Sequence, residues 1–182
     1  PVFQAVTPEN GGVSYIVDFK DLGVDGAPMV VTRNEWMRRM KDMSQFQSGM
    51  GFYGDMPESL NLVVNTAHPL VKRVVDEKKE VLGETLAGLQ KEIVGLKAQE
   101  ESLEKKKKGK KEEEIPTEEK KQLEDVRKNL GEVEEKKRNH LKEFGKQNKL
   151  AKQLVDLALL ANGLLKGADL DRFVKRSVEL IQ

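Results

Sequence analysis

Cysteine is absent from the 182-residue sequence, and aromatic residues make up only 5% of it. Without a thiol the chain has no disulfide, no thiolate nucleophile and no cysteine-ligated zinc site. Charge of one sign is also lacking, because 32 basic and 31 acidic residues leave a net charge of +1. Such a chain has no strong overall attraction for nucleic acid or an anionic membrane. No stretch approaches the roughly 18 apolar residues of a membrane span, so we expect neither partner.

A recognisable catalytic set is also lacking. The two histidines, His68 and His140, lie far apart in sequence, and neither has a nearby nucleophile. The carboxylates are abundant but spread out, which is typical of solvated helices. The glycines at 49–54 match a phosphate-binding loop by letter count only, because they follow a predicted helix instead of a strand. We therefore expect no catalytic residue, no cofactor and no metal in this chain.

Residues 1–75 predict an α+β core with a small three-stranded sheet. Apolar and polar residues alternate over 15–19 and again over 60–64, which is the period of half-buried strands. Residues 29–31 predict another strand, and we expect it to be the hairpin partner of the first, because Asp25-Gly26 favours a turn between them. Pro69 fits the first turn of a helix that follows the last strand.

A methionine-rich amphipathic helix is predicted over about 35–48, with Asn34 as its N-cap. The candidate binding residues of this segment are Trp36, Met37, Met40, Met43, Phe46 and Met50. From the pattern alone, such a stripe is more often part of a core. The functional alternative is an exposed, adaptable binding surface, since methionine is flexible and polarisable. Both interpretations remain open at the level of pattern.

Residues 76–149 have a heptad period that predicts a charged, coiled-coil-like antiparallel hairpin. The first seam is Leu82, Leu86, Leu89, Ile93, Leu96, Glu100 and Leu103, and the second is Leu123, Val126, Leu130, Val133, Lys137, Leu141 and Phe144. The lysine-rich run at 105–111 between them favours a solvated tip. Phosphate binding there is the alternative, but three glutamates follow at once and no aromatic residue is near to stack on a base.

Residues 150–182 predict two short helices with more apolar surface than they can bury against each other. The candidate interface residues are Leu150, Leu154, Leu157, Ala158, Ala161, Leu164, Leu170, Phe173, Val174, Val178 and Ile181. Arg172, Lys175 and Arg176 are predicted to face outward. These helices either pack only on residues 1–75, forming one domain with them, or also pair with a second copy as a two-fold four-helix bundle.

The order of these elements resembles the C-terminal domain of the heat-shock protein 90 chaperone family, in particular its bacterial branch. The most specific match is the run from Leu62 to Val71, LVVNTAHPLV, in which Thr66 stands where the family often has proline. The run 157–161, LALLA, resembles the start of the family's dimerisation helices. The resemblance covers about 13–75 and 150–182, and the hairpin looks like an insertion between these parts.

The resemblance implies a homodimer joined by the terminal helices, with the methionine-rich helix contacting non-native client proteins. It implies a cytoplasmic chaperone that acts in protein folding and the stress response. ATP and magnesium would be used only by the full-length protein, so this chain alone is not an enzyme. The chain begins with Pro1 instead of methionine, and we expect it to be part of a longer protein. The alternative is a coiled-coil interaction arm or a nucleic-acid-binding arm on a globular base.

Overall fold

The computed structural model describes residues 1–8, 13–33, 39, 43, 58–107 and 116–181. The elements, in chain order, are a 3₁₀ turn (Gln4–Val6), β1 (Val13–Lys20), β2 (Met29–Arg33), β3 (Glu58–Asn65), α1 (Pro69–Lys107), α2 (Thr117–Gln147), α3 (Lys149–Ala161) and α4 (Ala168–Ile181). The fold is α+β, as the sequence predicts. It divides into two compact units: unit 1 comprises Pro1–Glu77 and Lys142–Gln182, and unit 2 comprises Lys78–Leu141.

The three strands form one mixed sheet in the order β1–β3–β2. The predicted hairpin between β1 and β2 is therefore wrong, because β3 lies between them, parallel to β1 and antiparallel to β2. The chain does reverse its direction after β1. Residues 21–28 nevertheless connect strands that are not neighbours, because the position of β3 lies between them, and they span two strand spacings, roughly 10 Å. Leu60, Leu62 and Val64 make β3 the most buried strand, and it takes the position with neighbours on both edges.

The corner between β3 and α1 is held by backbone and side-chain hydrogen bonds. The Thr66 N–H donates to the Lys20 carbonyl at 2.9 Å, a bond that proline at this position could not make. His68 Nδ1 accepts a hydrogen bond from the Leu70 N–H at 3.1 Å and so caps the first turn of α1. Pro69 is the first residue of α1, as its lack of an N–H predicts.

The core of unit 1 combines residues from both ends of the chain. Helix α3 packs against β2 and the 3₁₀ turn, and it also contacts α4. The most buried apolar side chains of unit 1 are Phe3, Val6, Met29, Val31, Leu60, Leu62, Val63, Val64, Val71, Val74, Phe144, Ala151, Leu154, Val155, Ala158, Leu159 and Leu165. Residues 1–77 therefore depend on residues 142–165 for their core.

Unit 2 is the antiparallel helical hairpin that the heptad pattern predicts. Its seam residues are buried or half-buried, with Ile93, Leu123 and Val133 the most enclosed. Lys97 pairs with Glu134 at 2.9 Å, whereas Arg127 reaches back to Glu100 at 2.7 Å. Higher numbers on α1 thus face lower numbers on α2, as antiparallel packing requires.

The two polar interruptions of the seams each have a partner across the hairpin. Glu100 accepts from Arg127 Nε, and the same guanidinium donates to Glu104 at 2.6 Å. These hydrogen bonds raise the pKa of Arg127. Lys137 Nζ donates to Gln90 Oε1 at 2.6 Å. Polar groups at seam positions favour one register over its neighbours, so we expect these pairs to favour the observed alignment of the two arms.

Candidate interaction surface of the terminal helices

Helix α3 is closed by a side-chain cap at one end and a glycine at the other. Asn148 Oδ1 accepts a hydrogen bond from the Ala151 N–H at 2.7 Å. At the C-terminus Gly163 has φ +68°, and its N–H donates to the Leu160 carbonyl at 3.0 Å. The Leu164 N–H donates to the Leu159 carbonyl at 2.9 Å, which completes a Schellman motif. Asn162-Gly163 therefore ends the helix, as predicted.

Two of the predicted interface residues lie inside the chain instead of on its surface. Leu154 and Ala158 belong to the buried side of α3, together with Ala151, Val155 and Leu159. Their side chains already contact the core of unit 1 and are not available to a second copy. Sequence periodicity could not separate them from Leu157, because nearly every position from 154 to 161 is apolar.

The other described candidates keep part or most of their surface exposed. On the first helix and its end, Leu150 and Leu164 are half-buried, while Leu157 and Ala161 are exposed. On α4, Leu170 and Phe173 are half-buried, and Val174 and Val178 are 52% and 54% exposed. Ile181 is helical, and its side chain lies outside the described part. Leu160 is exposed too and was not predicted. We call five exposed apolar residues of these helices the terminal-helix surface: Leu157, Leu160, Ala161, Val174 and Val178.

Polar side chains join α3 to α4. Lys149 Nζ lies 2.7 Å from Glu179 Oε2, and this hydrogen bond and the lysine charge lower the pKa of the Glu179 carboxyl. Gln153 Nε2 donates to Ser177 Oγ at 2.6 Å. The prediction that Arg176 faces outward is wrong: its guanidinium binds the Asp156 carboxylate, and its side chain is only 13% exposed. A charged side chain is usually exposed to solvent. Arg176 is an exception because its partner, the Asp156 carboxylate, is buried.

The methionine-rich segment is described at two positions only. Arg39 and Met43 are helical, and both side chains are exposed, with Met43 at 48%. The other predicted binding residues, Trp36, Met37, Met40, Phe46 and Met50, lie outside the described residues. Whether this segment binds other proteins therefore stays a prediction.

Two findings concern only the described ranges of the chain. Nowhere in them are three or more histidine, cysteine, aspartate or glutamate residues grouped to hold a metal ion. None of the helices described in this chain is both long and apolar enough to cross a membrane. At the start of the lysine run, Lys105 pairs with Glu101 at 2.7 Å. The predicted tip at 108–115 lies outside the described residues.

The sequence is similar to chaperones across almost its whole length. It is 42% identical over 179 residues to the chaperone protein HtpG of Bacteroides fragilis and equally to that of Bacteroides thetaiotaomicron, covering 98% of this chain. It is 42% identical over 180 residues to HtpG of Porphyromonas gingivalis, covering 99%. The chain spans 26% of the length of these relatives. No family profile and no solved structure matches it significantly.

These similarities confirm the predicted resemblance to the bacterial branch of the heat-shock protein 90 chaperones. The chain matches a C-terminal segment of bacterial HtpG. Because the aligned region covers 98% of the chain, it includes the hairpin. The hairpin region is therefore part of the segment that these relatives share.

Proposed function

We propose that this chain is the C-terminal part of an ATP-dependent chaperone of the HtpG type, and that it joins two copies through the terminal-helix surface. The similarity of almost the whole chain to HtpG supports the chaperone part of this proposal. The observation that carries the dimer is the exposure of Val174 and Val178, one helical turn apart on α4. Their side chains, with Leu157 and Leu160, offer apolar surface that the single chain leaves in water.

Pairing of two copies would bury this surface at little structural cost. Full burial of a valine or leucine side chain contributes about 1.5–3 kcal/mol. Two helices from each copy make a four-helix arrangement around a two-fold axis, in which each residue meets the same surface of its partner. Dimerisation would hold the ATP-binding parts of the two chains at a high effective concentration. In this proposal ATP and magnesium are bound outside this chain, and the protein works in the cytoplasm.

The second part of the proposal concerns client proteins. Met43 is exposed on a helical segment, and the neighbouring sequence is rich in methionine and aromatic residues. A flexible apolar surface of this kind can adapt to many non-native chains. Pairing of two copies through the terminal helices would bring two such surfaces into one dimer, so a client could be held at two points.

The dimer is tested by substituting one exposed valine. We expect Val178→Glu to raise the dissociation constant by about 100-fold or more, because each dimer would bury two unpaired carboxylates. The measurement is the mass in solution by light scattering across a dilution series. Val94→Glu is the matched control, since Val94 is 58% exposed on a helix of unit 2. A wild-type chain that is monomeric at all concentrations, or equal constants for both variants, would contradict the proposed interface.

The client surface is tested at the described methionine. Met43→Ser should weaken the suppression of aggregation of an unfolded test protein, while the free energy of unfolding of the chain changes by less than about 0.5 kcal/mol, as for other exposed positions. The control Val94→Ser removes a similar exposed apolar group elsewhere. A large loss of stability in Met43→Ser would show that this residue belongs to a core. Equal suppression by wild type and both variants would place client binding elsewhere.

A further inference from the structure

A buried carboxylate lies in the middle of the apolar helix α3. Asp156 is 2% exposed and stands between buried neighbours, Leu154, Val155 and Ala158. Burying a charge costs much free energy unless it is paired and hydrogen-bonded. The pairing comes mainly from α4, because Arg176 Nη2 donates to Asp156 Oδ2. Lys152 Nζ lies 3.5 Å from the other oxygen.

Hydrogen bonds continue from this ion pair along both helices. Arg176 Nε donates to Gln153 Oε1 at 2.9 Å, and Gln153 Nε2 donates to Ser177 Oγ at 2.6 Å. The Ser177 hydroxyl in turn donates to the Phe173 carbonyl at 2.9 Å. We call Asp156, Arg176, Gln153 and Ser177 the clasp. Each member has a partner within the clasp.

The clasp determines which side of α4 faces α3. Successive residues of a helix are about 100° apart around the axis. Val174 and Val178 therefore lie about 160° to either side of Arg176, on the opposite side of the helix. When Arg176 points toward α3, the two valines point away from it. Their exposure agrees with this geometry.

We propose that Asp156 is a positioning residue that fixes the rotation of α4, so that Val174 and Val178 face a second copy of the chain. This inference rests on the proposed dimer. Apolar contacts alone are not directional, and an amphipathic α4 held only by them would be free to turn its valines onto its own chain. Charge-assisted hydrogen bonds have a defined geometry. A buried polar network that selects one arrangement is a well-attested use of such costly groups.

The experiment compares Asp156→Asn, Arg176→Gln, the double variant and wild type. Each single variant leaves one buried polar partner unbalanced, and we expect the dimer dissociation constant to rise by about tenfold or more. The double variant should lie closer to wild type than either single variant, because neither charge is left buried alone. Glu179→Gln is the matched control: it removes an ion pair between the same two helices whose side chains are 64% and 55% exposed, and we expect a change below about twofold.

A second measurement separates positioning from general destabilisation. Amide hydrogen exchange should accelerate in 168–181 of the single variants, while β3 stays protected. Loss of protection in β3 of Asp156→Asn would mean that this variant has unfolded, and Arg176→Gln, on the outer helix, then decides the question. A purely structural role would lower the melting temperature of the single variants without changing the dissociation constant, and this result would overturn the proposal.

The exchange measurement also keeps this inference apart from the proposed dimer. If the wild-type chain is a monomer, the dimer proposal fails, and faster exchange of α4 in the single variants would still show that the clasp positions the helix. If wild type is a dimer and Asp156→Asn has the same dissociation constant and the same α4 exchange, the dimer stands and the clasp proposal fails.

Discussion

Asn65 braces the loop between β1 and β2 from the end of the central strand. It is fully buried, and its side chain makes four hydrogen bonds. Oδ1 accepts from the N–H groups of Leu22 and Ala67, and Nδ2 donates to the carbonyls of Gly23 and Ala27. These distances run from 2.8 to 3.2 Å, so every polar atom of the side chain is used.

Substituting Asn65 with aspartate should be strongly destabilising although the two side chains have the same shape. Aspartate can accept both N–H groups, but it cannot donate to the two carbonyls and places a negative charge against them. We expect a loss of at least about 2 kcal/mol in the free energy of unfolding, measured by urea denaturation. Asn61→Asp, half-buried on the same strand, is the control and should cost clearly less. Equal losses would mean that the strand position, and not the brace, sets the cost.

The role of single residues could be predicted from the sequence only in part. Asn65 belongs to the run from Leu62 to Val71 that carries the resemblance, but two of its hydrogen bonds reach residues more than forty positions away. Asp156 was missed, although it is the one charge within 154–161, and such an isolated charge is the signal that could have found it. The orientation of Arg176 depends on that buried partner, so no local pattern could give it.

Helices α1 and α2 show which properties of an element are local. Their seams follow from a seven-residue period, and the structure places the same residues in the interface between the arms. The strand order did not follow from local patterns, because turn residues predict a reversal of direction and do not identify the neighbouring strand. For α3 the periodicity does not predict which side is buried, because almost every position from 154 to 161 is apolar. The buried side is determined by packing against the sheet.

Two glycines of α2 should respond in opposite ways to alanine. A Cβ at Gly131 would have open space, and we expect Gly131→Ala to stabilise by about 0.5–1 kcal/mol through helix propensity. A Cβ at Gly145 would meet the backbone of Val2, so Gly145→Ala should displace the N-terminal turn and cost about 1–3 kcal/mol. Thermal unfolding followed by circular dichroism measures both changes. A stabilised Gly145→Ala variant would show that Val2 can move away without loss.

At the scale of the whole molecule, unit 1 is built from two stretches of chain with unit 2 between them. This division allows the association of the chain to be assigned to one unit or the other. The proposed dimer uses α3 and α4 only, whereas the coiled-coil alternative uses the hairpin. Both are helical and partly apolar, so composition cannot decide between them.

Replacing residues 79–140 by a short Gly/Ser linker separates these two possibilities. Packed helix axes lie about 8–10 Å apart, and about eight flexible residues span roughly 15 Å. We expect the shortened chain to fold and to dimerise with a dissociation constant within about threefold of wild type, because it keeps α3 and α4 intact. Circular dichroism shows whether the shortened chain folds, and light scattering across a dilution series measures its dimer dissociation constant. A folded monomer would assign association to the hairpin and refute the terminal-helix surface.

The antiparallel pairing of α1 with α2 also bears on how the chain reaches its native state. Bringing α3 to the sheet through a flexible loop as long as unit 2 would cost about 4 kcal/mol of chain entropy. The hairpin forms from contacts between residues that are close in sequence, and such contacts form quickly. Because its two arms are antiparallel, the end of α2 lies beside the start of the first arm. During synthesis, the three strands remain without α3, the helix that packs on them, until the hairpin has been translated. Within unit 1, residues translated before the hairpin are thus completed by residues translated after it.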